Sequence, residues 1–124
     1  MRVFTNNPLA AEKLKDTYDV RFFDCTFGQL LIEVRNEIHK GSRLLSHPLS
    51  GSVKPNETPY KSVLVTQPEG GVDLQSLELI ENSIRAAEKF PVRYPTMPDS
   101  IRADFRLIDY TLLQSALQAA TDSL

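Results

Sequence analysis

The chain has 124 residues, 41% of them hydrophobic and 24% charged, with a formal net charge of −2, which indicates an ordinary globular protein rather than a disordered one. Its 14 lysines and arginines are spread along the sequence, and without a basic cluster we expect no nucleic-acid partner. We expect no membrane partner either, because no stretch approaches the roughly 18 continuous apolar residues of a membrane span.

A strand and a helix are predicted at the start of the chain. Residues 2–5 form a β-rich run. Asn7 followed by Pro8 is a typical helix N-cap with proline at the first helical position, where its missing N–H costs nothing. Residues 19–23 predict a second strand after this short first helix.

The middle of the chain is predicted to hold a second helix and two further strands. The helix follows a cap at Asp24 or Thr26, carries apolar residues at spacings of three and four, and ends before Gly41. Residues 43–46 predict a third strand, and residues 60–66, with an apolar centre, predict a fourth.

Two helices are predicted in the last third of the chain. Asp73 caps the first of them, and Asp99 or Ser100 opens the second. The last helix is apolar over a wide arc, so we expect it to pack against both the sheet and another helix, or against a second copy in a homodimer.

This alternation of strands and helices predicts a single α/β domain over residues 1–124. We expect a three-layer sandwich, in which helices flank a small, mostly parallel sheet of about four strands. The main alternative for the middle of the chain is an antiparallel hairpin around residues 55–57.

One long connection, residues 46–62, departs from the pattern of the rest. Ordered loops of this length tend to be functional, and its three prolines indicate a shaped segment. It could present backbone N–H groups and a lysine to a phosphate or carboxylate. A hydrolase with His47 as the base and Ser50 or Ser52 as the nucleophile is the less favoured reading, because no catalytic signature surrounds them. The loop's candidate ligand-binding or partner-binding residues are His47, Ser50, Gly51, Ser52, Lys54, Asn56, Glu57 and Lys61.

Asn6 and Asn7 are further candidates, because in a parallel sheet they would lie beside this loop at the edge where α/β proteins bind ligands. A helix cap explains part of the role of Asn7. Cys25, the single cysteine, is interpreted as a buried, inert thiol, and it fits a reducing, cytoplasmic location. No metal-ligand spacing is present, and we expect no cofactor.

Three stretches of the sequence carry a family resemblance: TNNP at residues 5–8, HPLSGSVKPNETPYKS at 47–62 and DFRLID at 104–109. They resemble the GrdX family, small proteins encoded beside the subunits of glycine reductase and related selenoenzyme systems in amino-acid-fermenting anaerobes. The long stretch is the specific one. The resemblance covers most of the chain.

The resemblance implies an accessory role near glycine, sarcosine or betaine reduction. We expect the partner to be a reductase component or a small anionic ligand. It supplies no catalytic residues. The competing hypothesis is a small enzyme acting on a carboxylate or phosphorylated metabolite, in which Lys54 or Lys61 holds the anion and His47 moves a proton.

Overall fold

The computed structural model of the protein describes residues 1–50, 54–92 and 96–123. The strands are β1 (Arg2–Thr5), β2 (Asp19–Phe22) and β3 (Ser62–Val65). The helices are α1 (Pro8–Leu14), α2 (Phe27–His39), α3 (Leu74–Glu88) and α4 (Asp99–Asp122). Within these ranges no helix is both long enough and apolar enough to cross a membrane.

The strands form one mixed sheet in the order β2-β1-β3. Strand β1 pairs with β2 in parallel and with β3 in antiparallel orientation. In the antiparallel pair Thr5 lies opposite Ser62. The end of β1 therefore meets the start of β3, and the long connection leads into this same edge of the sheet.

Alternate residues of the strands face two separate cores, as the pleat of a sheet requires. Phe4 of β1 packs with residues of α2 and α3 on one face. The neighbouring residue, Val3, packs with residues of α1 and α4 on the other face. The predicted α/β class and helix–sheet–helix layering are therefore confirmed.

The prediction of about four mostly parallel strands is wrong for the described residues. Residues 43–46 make only an isolated bridge, between Leu44 and Val65, since the Ser46 hydroxyl rather than a strand backbone accepts the Leu64 N–H at 2.9 Å. This segment runs antiparallel to β3. It therefore ends at the same edge of the sheet at which β3 begins. The middle of the chain is thus closer to the antiparallel alternative.

The predicted helix caps agree with the structure at most ends. Thr26, not Asp24, caps α2 and forms a capping box with Gln29. Asp73 caps α3, its side chain accepting from the Ser76 N–H. Gly41 follows α2 with a φ of 110°, a conformation that glycine adopts at little cost. The last helix begins at Asp99 without a side-chain cap.

A group of charged side chains holds the elements together at the end of the sheet where β1 begins. Arg2 of β1 pairs with Asp19 at 3.0 Å and also with Glu37, which is only 4% exposed. Glu37 lies near the end of α2, so the arginine ties two strands and a helix together. An arginine can serve both carboxylates because its guanidinium carries five donors in a fixed fork.

Candidate ligand-binding cleft

The end of β1 is joined to the long loop by the side chain of Asn6. Its Oδ1 accepts the Lys61 N–H at 2.8 Å, and its Nδ2 donates to the carbonyls of Pro59 at 2.8 Å and Cys25 at 3.0 Å. The residue is 5% exposed. The Asn6 amide therefore holds the loop against both the sheet edge and the chain that leads into α2.

Asn7 acts as the predicted cap of α1 and also reaches α4. Its Oδ1 accepts the Leu9 N–H at 3.0 Å. Its Nδ2 donates to the Arg106 carbonyl and to Asp109 Oδ2, both at 2.9 Å. The oxygen of this amide is thus used in capping α1, and its nitrogen is used in the contact with α4.

Asn56 joins the loop to the end of α3. Its Nδ2 donates to the carbonyls of Ala87 at 2.9 Å and Phe90 at 3.1 Å, which adds a side-chain donor at the end of the helix, where carbonyls lack intrahelical partners. Its φ of 65° is left-handed, a conformation that asparagine tolerates better than most residues.

Asp109 lies inside this framework, 6% exposed, on the face of α4 that meets the sheet. Its Oδ2 accepts from Asn7 Nδ2 and, at 2.7 Å, from the Ser62 hydroxyl. The Ser62 hydroxyl is also 2.7 Å from the Thr5 hydroxyl. Because Ser62 gives its proton to Asp109, Thr5 is the donor in this second hydrogen bond. A chain of two hydroxyls therefore ends on the carboxylate.

Lys61 is the second buried charged side chain at this end of the sheet, also 6% exposed. Its Nζ donates to the Ser50 carbonyl at 2.8 Å. Among the described residues it makes no direct ion pair with Asp109 or with any other carboxylate. Within the part of the chain that the structure describes, two of its three donors are therefore without an acceptor.

Burial shifts the pKa values of these two groups in opposite directions. Desolvation raises the pKa of Asp109, although the hydrogen bonds from Asn7 and Ser62 oppose the shift. Desolvation lowers the pKa of Lys61, and the charge of Asp109 opposes that shift. In each case the low-dielectric surroundings disfavour the charged form.

Lys61 and Asp109 both line a small cleft between the loop and α4, with a cavity volume of about 20 Å³. This is room for one water-sized group or little more. Arg106 of α4 donates to the Tyr60 hydroxyl at 2.9 Å and covers the Tyr60 ring. These contacts hold Tyr60, one of the residues that line the cleft, in place. The described residues that line the cleft are Phe27, Leu49, Ser50, Pro55, Thr58, Tyr60, Lys61, Phe105, Ile108, Asp109 and Leu112.

The other predicted site residues lie apart from the cleft or outside the described residues. His47 is exposed, and its Nδ1 accepts the Leu49 N–H at 3.0 Å. Lys54 is exposed and Glu57 half-buried, and neither lines the cleft. The predicted residues outside the described ranges are Gly51 and Ser52.

Cys25 is half-buried, so the prediction of a buried thiol is wrong in that respect, but its chemistry agrees with an inert one. Burial, with the nearby carboxylates Glu33 and Asp24, raises its pKa to about 11. A thiol with a raised pKa holds little of the reactive thiolate at neutral pH.

Sequence reasoning missed Asp109 as a site residue. The available signal was its place in the last helix, where a carboxylate lies four residues after Phe105 and four before Leu113. An acidic residue within an apolar row at helical spacing has to be buried or functional.

The fold and the cleft define a small α/β protein with two buried, oppositely charged side chains in one cleft. The model of the GrdX-like protein family matches residues 2–118. The chain therefore belongs to the GrdX-like protein family, as the resemblance of its motifs predicted. Comparison with curated proteins and with solved structures finds no match.

Replacing Asn56 tests whether it holds the loop to α3. We expect both Asn56→Gly and Asn56→Ala to lose about 1–3 kcal/mol of unfolding free energy with the hydrogen bonds. Asn56→Ala should lose about 1 kcal/mol more, because only alanine is strained at a left-handed φ. Urea unfolding measures both. Equal stabilities of the two variants would contradict the role of the backbone conformation.

Asp109→Asn tests the cost of the buried charge. The folded-state pKa is raised above the ordinary value of 3.8, so charging Asp109 destabilises the fold increasingly as pH rises from that value. We expect the free energy of unfolding of Asp109→Asn to be about 1 kcal/mol higher than that of wild type at pH 7.5, and equal to it near pH 4.

The control for this prediction is Asp104→Asn, which changes an exposed carboxylate on the same helix. It should stay within about 0.5 kcal/mol of wild type at both pH values. If Asp109→Asn were less stable than wild type at pH 7.5, the carboxylate would contribute net stability instead.

Proposed function

We propose that this protein is an accessory, ligand-binding component of glycine reductase-type amino-acid reduction. The cleft beside Lys61 is its binding site for a small ligand that carries a carboxylate or phosphate, and its volume of about 20 Å³ admits only part of that charged group, so the rest of the ligand lies outside it. Family membership over residues 2–118 supports the metabolic context. The observation that carries the binding site is the ammonium group of Lys61, buried in the cleft wall without an ion-pair partner among the described residues.

A buried ammonium group without a direct ion pair is costly to maintain. The charge of Asp109 offsets only part of this cost, since desolvation still lowers the pKa of Lys61. An incoming anion would offset this cost, since it replaces lost hydration with an ion pair in low dielectric. The backbone carbonyl of Ser50 holds the lysine in place at 2.8 Å, so the ligand does not have to order a flexible side chain. Both effects favour binding of a small anion at this position.

The test is a binding screen with a matched pair of lysine variants. Small carboxylates and phosphates, with and without amino groups, are added to wild type, Lys61→Met and Lys54→Met in thermal-shift measurements. A ligand at 100 times its Kd stabilises the fold by about 2.7 kcal/mol. We expect this shift in wild type and Lys54→Met, and its loss in Lys61→Met. Equal shifts in all three proteins would exclude the Lys61 site.

The link to a reductase is tested separately, by size-exclusion chromatography of the protein mixed with purified glycine reductase subunits. The exposed loop residues His47 and Lys54 are the proposed contacts. We expect co-elution with wild type and its loss in the His47→Ala, Lys54→Ala double variant, whose fold is checked beforehand by urea unfolding. Separate elution of wild type and every subunit would contradict the association.

A second candidate function is a small enzyme that acts on the same anionic metabolite. The observation that favours it is the lowered pKa of Lys61, which makes this lysine better suited than an ordinary one to exchange a proton near neutral pH. His47 does not take part in this version, since it does not line the cleft. Consumption of a bound ligand over time distinguishes the enzyme from the binding protein.

A further inference from the structure

The mouth of the cleft is mostly apolar. The exposed residues among those that line the cleft are Ser50, Ile108 and Leu112, and the last two are 40% and 38% accessible. The half-buried Phe105 precedes them on α4 and lines the cleft as well. Residues 105, 108 and 112 follow one another at spacings of three and four, so their side chains form one row along the helix. At a rise of about 1.5 Å per residue this row is about 10 Å long.

The interior of the cleft accepts one atom of an anion and not the whole charged group. Its volume of about 20 Å³ is room for one water-sized group, and a single carboxylate oxygen has about this size. Lys61 Nζ, held by the Ser50 carbonyl at 2.8 Å, is the donor that this oxygen would meet. The remaining atoms of the ligand stay at the mouth, where they contact the apolar row of α4.

Two features of this arrangement favour a carboxylate over a phosphate. Asp109 in the cleft wall repels an incoming anion in proportion to the charge of that anion, although hydrogen bonds from Asn7 and from the hydroxyl and backbone of Ser62 stabilise its own charge. A phosphate monoester carries about −1.5 to −2 charges near pH 7, more than a carboxylate does. A phosphate would also leave further charged oxygens against Ile108 and Leu112, where they lose hydration without gaining a partner.

Resting on the proposed binding function, we propose that the ligand is a small aliphatic monocarboxylate, with one carboxylate oxygen on Lys61 and its hydrocarbon chain along Phe105, Ile108 and Leu112. The chain covers apolar side chains that otherwise face water, and each methylene group that leaves water adds to the affinity. A row of about 10 Å accommodates a chain of several carbon atoms. The charged end determines where the ligand sits, and the chain determines how tightly it binds.

The test uses probes that differ in chain length or in the charged group. Isothermal titration measures acetate, butanoate, hexanoate, hexyl phosphate and hexylammonium against wild type and three variants. Lys61→Met removes the ammonium group at similar length, and the double variant Ile108→Ser, Leu112→Ser removes the apolar row. Leu107→Ser is the matched control, because Leu107 is 57% exposed on the same helix and does not line the cleft. Urea unfolding first confirms that each variant is folded.

We expect wild type and Leu107→Ser to bind hexanoate about tenfold more tightly than acetate, with butanoate between them, since each partly covered methylene adds about twofold. Hexyl phosphate should bind less tightly than hexanoate, and hexylammonium should not bind. The double variant should bind acetate as wild type does but lose about tenfold in hexanoate affinity. General damage to the cleft does not produce such a selective loss. Lys61→Met should lose about tenfold or more for hexanoate.

The possible failures are distinguishable. If wild type binds acetate as tightly as hexanoate, or hexyl phosphate more tightly than hexanoate, the aliphatic monocarboxylate is the wrong ligand while the anion site beside Lys61 stands. If Lys61→Met binds every probe as wild type does, or if wild type binds none of the probes and no anion of the thermal-shift screen, both the inference and the proposed binding site fall.

Discussion

The buried carboxylate of Asp109 holds α4 against the sheet, through hydrogen bonds from Asn7 and from Ser62. Each of these partners has a second task, since Asn7 caps α1 and Ser62 opens β3 opposite Thr5. The position of one oxygen atom is thus determined by three elements at once. The cleft exists because this framework keeps α4 at a fixed distance from the loop that carries Lys61.

Local sequence signals were sufficient for most of the fold. Helix caps such as Thr26 and Asp73 depend on side chains within three residues of the helix start, and such short-range chemistry is readable from sequence. The sheet is harder to predict, because the direction of a strand depends on which end of the sheet the preceding connection reaches. Residues 43–46 resemble a strand, yet the Ser46 side chain takes the place of a backbone acceptor, and apolar pattern alone does not reveal this exchange.

For the candidate site, the sequence predicts the loop but not the roles of its residues. The sequence predicts Asn6 and Asn56 on a binding surface, whereas the structure places them inside the protein as links to the sheet edge and to α3. Lys61 is among the predicted site residues, whereas Asp109, 48 positions later in the last helix, is not. Such a pairing depends on tertiary packing, which a single sequence does not display.

The hydrogen bond between Asn7 and Asp109 closes a loop of 102 residues. Long closures of this kind lose much chain entropy before they gain contact energy, so they form late in folding. During synthesis the first strand and helix leave the ribosome well before α4 does. The loop that carries Lys61 is therefore made before the helix that lines the other side of the cleft, and the cleft is complete only when this last helix has packed against the sheet.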